Sequence, residues 1–136
     1  MAGRLLLVDD DPQVRISLSE ALEDFGFEVS VAESAEGALS VLSALKPEVV
    51  LSDIRMPGLD GIELLKLLRE RAPDVDVVLM TAFDDMPTVV SAMREGAFDF
   101  LVKPVNLDEL EEVLKRALAD HRTRERARRE VEDQAR

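Results

Sequence analysis

Leu5-Leu6-Leu7-Val8-Asp9-Asp10-Asp11-Pro12 decides how the rest of the chain is read, because four apolar residues stop abruptly at three acids and a proline. Without polar alternation, such a short run reads as a strand covered on both faces. Pro12 suits the first position of a helix, and Asp11 before it can accept a hydrogen bond from an unsatisfied N–H of the first turn. Val14, Leu18, Ala21, Leu22 and Phe25 then recur at helical spacing, and Gly26 ends the helix. The unit is strand, acidic turn, helix.

The same alternation continues to the end of the chain. Arg4 to Val8 is followed by strands expected at Glu28–Ala32, Val49–Ser52, Asp76–Met80 and Asp99–Val102. Between them lie segments of helical period. Ser34 caps a helix carrying Ala35, Ala38, Leu39 and Leu42 that ends at Pro47. After the turn Met56-Pro57-Gly58-Leu59-Asp60-Gly61 a helix carries Ile62, Leu64, Leu65 and Leu68 to Ala72-Pro73. A fourth helix is expected near Thr88–Glu95, stopped by Gly96, and a fifth from Asp108, with Asn106 as cap and Leu110, Val113, Leu114, Ala117 and Leu118 as its apolar face. Five strands separated by helices predict an α/β fold with a doubly wound, five-stranded parallel sheet and helices on both faces, since parallel strands need crossovers. Periodicity leaves the strand order open.

Composition narrows the chemistry. The chain has 136 residues, enough for one domain and a tail. It has no Cys and one His, His121, so thiol catalysis and cysteine or poly-histidine metal sites are excluded and any metal must be held by oxygen. Apolar runs are too short to cross a bilayer and the N-terminus lacks a signal-peptide layout, which leads to the expectation of a cytoplasmic protein with no membrane contact. A net charge of −12 disfavours direct DNA binding. The charge is uneven: eight Lys and Arg face five Asp and Glu from Lys115 onward, whereas Met1 to Leu114 is strongly acidic.

In open α/β sheets ligands bind beyond the carboxyl ends of the strands. Here those ends carry Asp9-Asp10-Asp11, Asp53, Thr81 and Lys103-Pro104. Carboxylates gathered within about 5 Å repel by a few kcal/mol at an effective dielectric of roughly 20, so the group calls for a cation, and hard oxygen donors favour Mg²⁺. A carboxylate such as Asp53 can attack a phosphoryl donor when a metal, an amine and a hydroxyl cover the equatorial oxygens. Mg²⁺, Lys103 and Thr81 are candidates for those parts.

Five separated motifs now fall in one order: Leu5 to Asp11, Asp53-Ile54-Arg55-Met56-Pro57-Gly58-Leu59-Asp60-Gly61, Thr81-Ala82, Gly96-Ala97-Phe98-Asp99-Phe100 and Lys103-Pro104. In this the chain resembles the receiver domains of two-component response regulators over nearly all of Arg4 to Asp120, and Met86 to Leu118 looks like the receivers of sigma-54 activator-type regulators. The resemblance implies a flavodoxin-like strand order 2-1-3-4-5, Mg²⁺ held by Asp9, Asp10, Asp53 and the backbone carbonyl of Arg55, and phosphorylation of Asp53 by a sensor histidine kinase. It also implies a switch through Thr81 and Phe100, a cis Lys103-Pro104 bond, and relay to an effector domain outside this chain, with transcription as the expected output. A homodimer could form through helix four, strand five and helix five, or through an extended last helix. Such a module is no enzyme in the usual sense, catalysing only its own phosphotransfer and slow dephosphorylation.

Plainer roles stand beside these. Asp11 reads as a helix cap, Phe100 as core as well as switch, and Met56, Met80, Met86 and Met93 as packing or loop residues. Arg55 and Phe83 lie where receivers tune dephosphorylation, and a bulky Phe83 leads to the expectation of a long-lived phosphoryl state. Residues 1–120 form the expected receiver and 121–136 a charged helical extension or linker. That extension has opposite charges four apart at Glu125/Arg129, Arg126/Glu130, Arg128/Glu132 and Arg129/Asp133, which reads as a solvated helix with His121 facing solvent. Competing functions are a phosphorylation-independent interaction module, although such modules usually lack part of the acid, Thr and Lys set, and an aspartyl phosphatase, disfavoured because Arg55 stands where a second acid belongs.

Overall fold

The structure is a computed structural model that describes residues 2–82 and 85–135. Five strands, β1 (Arg4–Val8), β2 (Glu28–Ala32), β3 (Val49–Asp53), β4 (Asp76–Thr81) and β5 (Asp99–Val102), pair in parallel in the order β2-β1-β3-β4-β5. They alternate with α1 (Pro12–Asp24), α2 (Ala35–Leu45), α3 (Gly61–Arg71), α4 (Met86–Arg94) and α5 (Leu107–Gln134). The doubly wound architecture and the order 2-1-3-4-5 are both as expected. Because every strand runs the same way, all five carboxyl ends meet on one edge and all five amino ends on the other.

The pleat sorts each strand's side chains onto two faces. Leu6, Val8, Val50, Val77 and Leu79 pack under α2, α3 and α4 with Ala35, Ala38, Leu64, Leu65, Leu68, Val89 and Ala92. Leu5, Leu7, Val49, Leu51, Val78, Met80 and Leu101 pack under α1 and α5 with Leu22, Leu110, Val113, Leu114 and Ala117. This two-sided burial explains the unbroken apolar runs in the sequence. Truncating a fully buried residue such as Leu22 to Ala removes about 2–5 kcal/mol.

Local signals set most boundaries. Asp11 accepts from the Gln13 N–H, Ser34 from Gly37 and Asn106 from Glu109, so the expected caps of α1, α2 and α5 all form. The start of α3 is sharper than expected: Asp60 and Glu63 make a reciprocal capping box. Asp53 and Thr81 are the last residues of their strands rather than the first beyond them, and α4 begins two residues earlier than its apolar period suggests.

The end of the chain differs most from expectation. α5 runs unbroken to Gln134, and His121 is buried, with 7% of its surface exposed, rather than facing solvent. Its ring Nδ1 lies 2.5 Å from the carbonyl oxygen of Asp74, a contact in which only the ring nitrogen can donate. Arg122 donates to Glu48, Arg124 to Asp76 and Arg128 to the Asp74 carboxylate. Arg128 is thus drawn to the body instead of serving chiefly its helical neighbour Glu132. Acids at the amino ends of β3 and β4 attract the basic side of the helix, an effect that i,i+4 counting cannot detect.

Candidate functional site

The carboxyl edge of the sheet gathers three acids and one amine. Asp9, directly after β1, is fully buried; one of its oxygens, Oδ1, accepts the Asp11 N–H at 2.9 Å. Its other oxygen, Oδ2, is buried without a hydrogen-bond donor among the described residues. Asp53 at the end of β3 accepts the Arg55 N–H at 3.3 Å on Oδ1 and the Lys103 ammonium at 2.7 Å on Oδ2. Lys103 Nζ lies 3.8 Å from Asp9 Oδ2, too long for a hydrogen bond but close enough for strong attraction. Oxygens of Asp9, Asp10 and Asp53 all come within 4.8 Å of one another.

Burial pushes the Asp9 carboxyl above its ordinary range, against the opposing pull of the Asp11 N–H and the Lys103 charge. For Lys103 burial alone would lower the pKa, but its hydrogen bond to Asp53 and the charges of Asp53, Asp9 and Asp10 hold it above the usual value. One ammonium cannot balance three ionised carboxylates, and the orphaned Asp9 oxygen adds an unmet need for a positive partner. The donor set is all oxygen, so these residues fit a hard divalent cation.

Neighbouring backbone positions the reacting groups. Lys103 follows β5, its N–H donates to the Thr81 carbonyl at 2.8 Å, and the Lys103-Pro104 bond is cis as expected. Gly61 opens α3 directly over the end of β3: a Cβ there would lie 2.4 Å from the Asp53 carbonyl oxygen and 2.7 Å from the Ile54 Cα. Only glycine allows this approach. Glu36 of α2 accepts the Leu59 N–H at 3.1 Å, which ties the loop after β3 to a neighbouring helix.

Asp9, Asp10, Asp53 and Lys103 are therefore brought together. Thr81 is buried at the end of the adjacent strand, with its hydroxyl donating to the Ala82 carbonyl at 3.1 Å rather than to the acids. Phe100 lies farther along the sheet, half-buried against the α2–α4 core. Phe83 lies outside the described residues.

Two participants were not picked out in the sequence. Arg15, on α1, donates through Nη1 to the Asp9 carbonyl at 2.7 Å, bracing the acidic turn. Asp85, immediately before α4, accepts Arg55 Nε at 2.9 Å and Nη2 at 3.1 Å, and these bonds hold its carboxyl below the usual range. Neither pairing has a local spacing signal; Asp85 and Arg55 are thirty residues apart.

A second group with metal-ligand chemistry, Glu48, His121 and Glu125, lies at the opposite edge. Its carboxylates already have cationic partners, Glu48 in Arg122 and Arg4 and Glu125 in Arg129. Burial alone would raise Glu48, but the bonds from Arg122 and Arg4 outweigh it and hold the carboxyl below its ordinary range. The group is accounted for as an ionic lattice.

Comparison with known proteins agrees with the geometry. Residues 5–115 match the family described as the response regulator receiver domain. The chain is 46% identical over 116 residues to the regulatory protein AtoC of Escherichia coli, covering 85% of this chain and 25% of that one. It is 40% identical over 126 residues to the DNA-binding transcriptional regulator NtrC of Salmonella typhimurium, covering 93% and 27%. A crystal structure of NtrX from Brucella abortus superposes with a TM-score of 0.85 at 36% identity, over 98% of this chain and 29% of that one. The chain spans about a quarter of the length of the curated relatives it matches. With its parallel sheet in the order 2-1-3-4-5 and its acids at the carboxyl edge, the chain belongs to the receiver domains of two-component response regulators, of the type carried by NtrC and AtoC.

Proposed function

We propose that Asp53 is the phosphoacceptor of a phosphorylation-dependent switch, and that its donor is a sensor histidine kinase. The observation that carries this reading is the Asp53 carboxylate at the open edge of the sheet, bonded to Lys103 and flanked by Asp9 with an unsatisfied buried oxygen. Asp9, Asp10, Asp53 and the Arg55 carbonyl would hold Mg²⁺, which when bound supplies charge neutralisation for phosphoryl oxygens.

An Asp53 oxygen attacks the donor phosphorus in line with the leaving group, whose bond to phosphorus breaks as the acyl phosphate forms. Lys103, already on Asp53 Oδ2, needs only a small shift to donate to the phosphoryl oxygens. Thr81 would exchange its bond to the Ala82 carbonyl for one to the same group. The buried Asp9 carboxyl lies beside them and would favour retention of the cations. The chain acts on its own carboxylate, and its slow return by hydrolysis completes the cycle.

The signal would pass to an effector domain in a longer protein, with transcription as the output suggested by the printed roles of relatives such as NtrC. Met86, Val90 and Met93 form an exposed apolar row at i, i+4 and i+7 on α4, which supports a homodimer through α4, β5 and α5.

Incubation with Mg²⁺ and acetyl phosphate, followed by intact mass measurement, tests the reading. One added phosphoryl group, absent in Asp53→Asn, is the expected result. No addition would favour a phosphorylation-independent interaction module, and sustained release of phosphate from simple esters would favour a phosphatase.

A further inference from the structure

α4 is anchored weakly by its own side chains. It buries only Val89 and Ala92, while Met86, Val90 and Met93 are exposed. Its first turn also lacks ordinary capping: Asp85 occupies the N-cap position but makes no side-chain hydrogen bond to the helix backbone. The carboxylate is instead shared between the Arg55 fork, at 2.9 Å and 3.1 Å, and the Thr88 hydroxyl at 3.2 Å. A side chain able to cap α4 is thus engaged by a residue from another loop.

Arg55 has a second connection. Its backbone N–H donates to Asp53 Oδ1 at 3.3 Å, so one residue touches the phosphoacceptor carboxylate through its main chain and the base of α4 through its side chain. We propose that Arg55 is a positioning residue that couples phosphorylation of Asp53 to the start of α4, by dividing its guanidinium between Asp85 and the phosphoryl group. The inference rests on Asp53 being the acceptor.

The physical reason is competition between anions. Phosphorylation brings roughly 1.5–2 negative charges and strong acceptor oxygens to the group bonded by the Arg55 main chain. The guanidinium, fully charged at any working pH, then has a new anion to serve beside Asp85. As it leaves Asp85, that carboxylate becomes available to the unsatisfied N–H groups of the first turn of α4, and the helix start rearranges. Lysine at position 55 would keep the charge but lose the two-pronged grip.

Hydrogen exchange of the α4 amides, read by mass spectrometry before and after acetyl phosphate treatment, tests this in the wild type, Arg55→Ala, Arg55→Lys and Asp85→Asn. Intact mass gives the phosphoryl occupancy of each sample. In the wild type, phosphorylation should change α4 exchange by about tenfold. Asp85→Asn, outside the metal and phosphoryl set, should take up the phosphoryl group yet show a change below about twofold; Arg55→Ala, compared with the wild type at matched phosphoryl occupancy, should show the same small change, with Arg55→Lys between Arg55→Ala and the wild type. A wild-type-sized change in Arg55→Ala and Asp85→Asn at equal occupancy would overturn the coupling. Failure of the wild type to gain mass would instead remove the phosphoacceptor reading, and the coupling with it.

Discussion

At the scale of single residues, the site trades stability for charge. Asp9 is fully buried with one oxygen that lacks a donor among the described residues, a cost that the proposed cation would offset. Asp9→Asn keeps an acceptor for the Asp11 N–H while removing the buried charge, so in metal-free buffer it should stabilise the fold by about 1–2 kcal/mol. If the proposed site holds Mg²⁺, the ion raises the melting temperature of the wild type, and the same change should abolish that shift. Urea unfolding and melting curves with and without Mg²⁺ check both halves. Gly61→Ala acts in the opposite direction: its methyl group would meet the Asp53 carbonyl oxygen at 2.4 Å, and the backbone shift should cost on the order of 3 kcal/mol in urea unfolding. The motif containing Gly61 was evident from sequence; the reason for that glycine was not, because the atoms it avoids belong to the end of β3.

At the scale of elements, α5 has two unlike halves joined without a break. Its first half docks by Leu110, Val113, Leu114 and Ala117, a stripe read directly from the sequence. Its second half docks by charge, through Arg122, Arg124 and Arg128 to acids at the amino ends of β3 and β4. Asp76 records the cost: burial, together with the hydrogen-bonded Asp120 carboxyl, pushes its carboxyl up to about 6, with Arg124 only partly opposing them. The folded state therefore holds a proton between about pH 4 and 6 that the unfolded chain has released, and stability falls as pH rises through that window. Asp76→Asn should lack this component. The stability difference between wild type and variant should shift by on the order of 2 kcal/mol from pH 4 to pH 7, measured by urea unfolding at each pH. A difference independent of pH would show that Asp76 titrates alike in the folded and unfolded chain.

At the scale of the whole molecule, parallel strands separate two jobs. The carboxyl edge holds the proposed phosphoacceptor group, and the amino edge holds the basic second half of α5. Ending the chain after Asp120 would leave Asp74 and Asp76 without the guanidiniums of Arg128 and Arg124, and Glu48 with Arg4 alone. Such a truncation should lose on the order of 3 kcal/mol of stability, yet accept a phosphoryl group from acetyl phosphate to the wild-type extent. Urea unfolding and intact mass on the same preparation separate these effects. Loss of phosphoryl uptake in a folded truncation would show that the two edges are not independent.

The sequence by itself determined the strands, most helices, the caps and the set Asp9, Asp10, Asp53, Thr81 and Lys103, because those features are written in short-range periodicity and in residues that punctuate strand ends. Tertiary structure alone decided the pairing of Arg55 with Asp85, the bracing of Asp9 by Arg15, and the burial of His121 among Asp74, Glu48 and Glu125. Each of these joins groups on different elements, so their attraction depends on where the sheet places them. A charged helix read in isolation looks solvated; across the acidic amino edge of a parallel sheet, its arginines pair with acids of other elements.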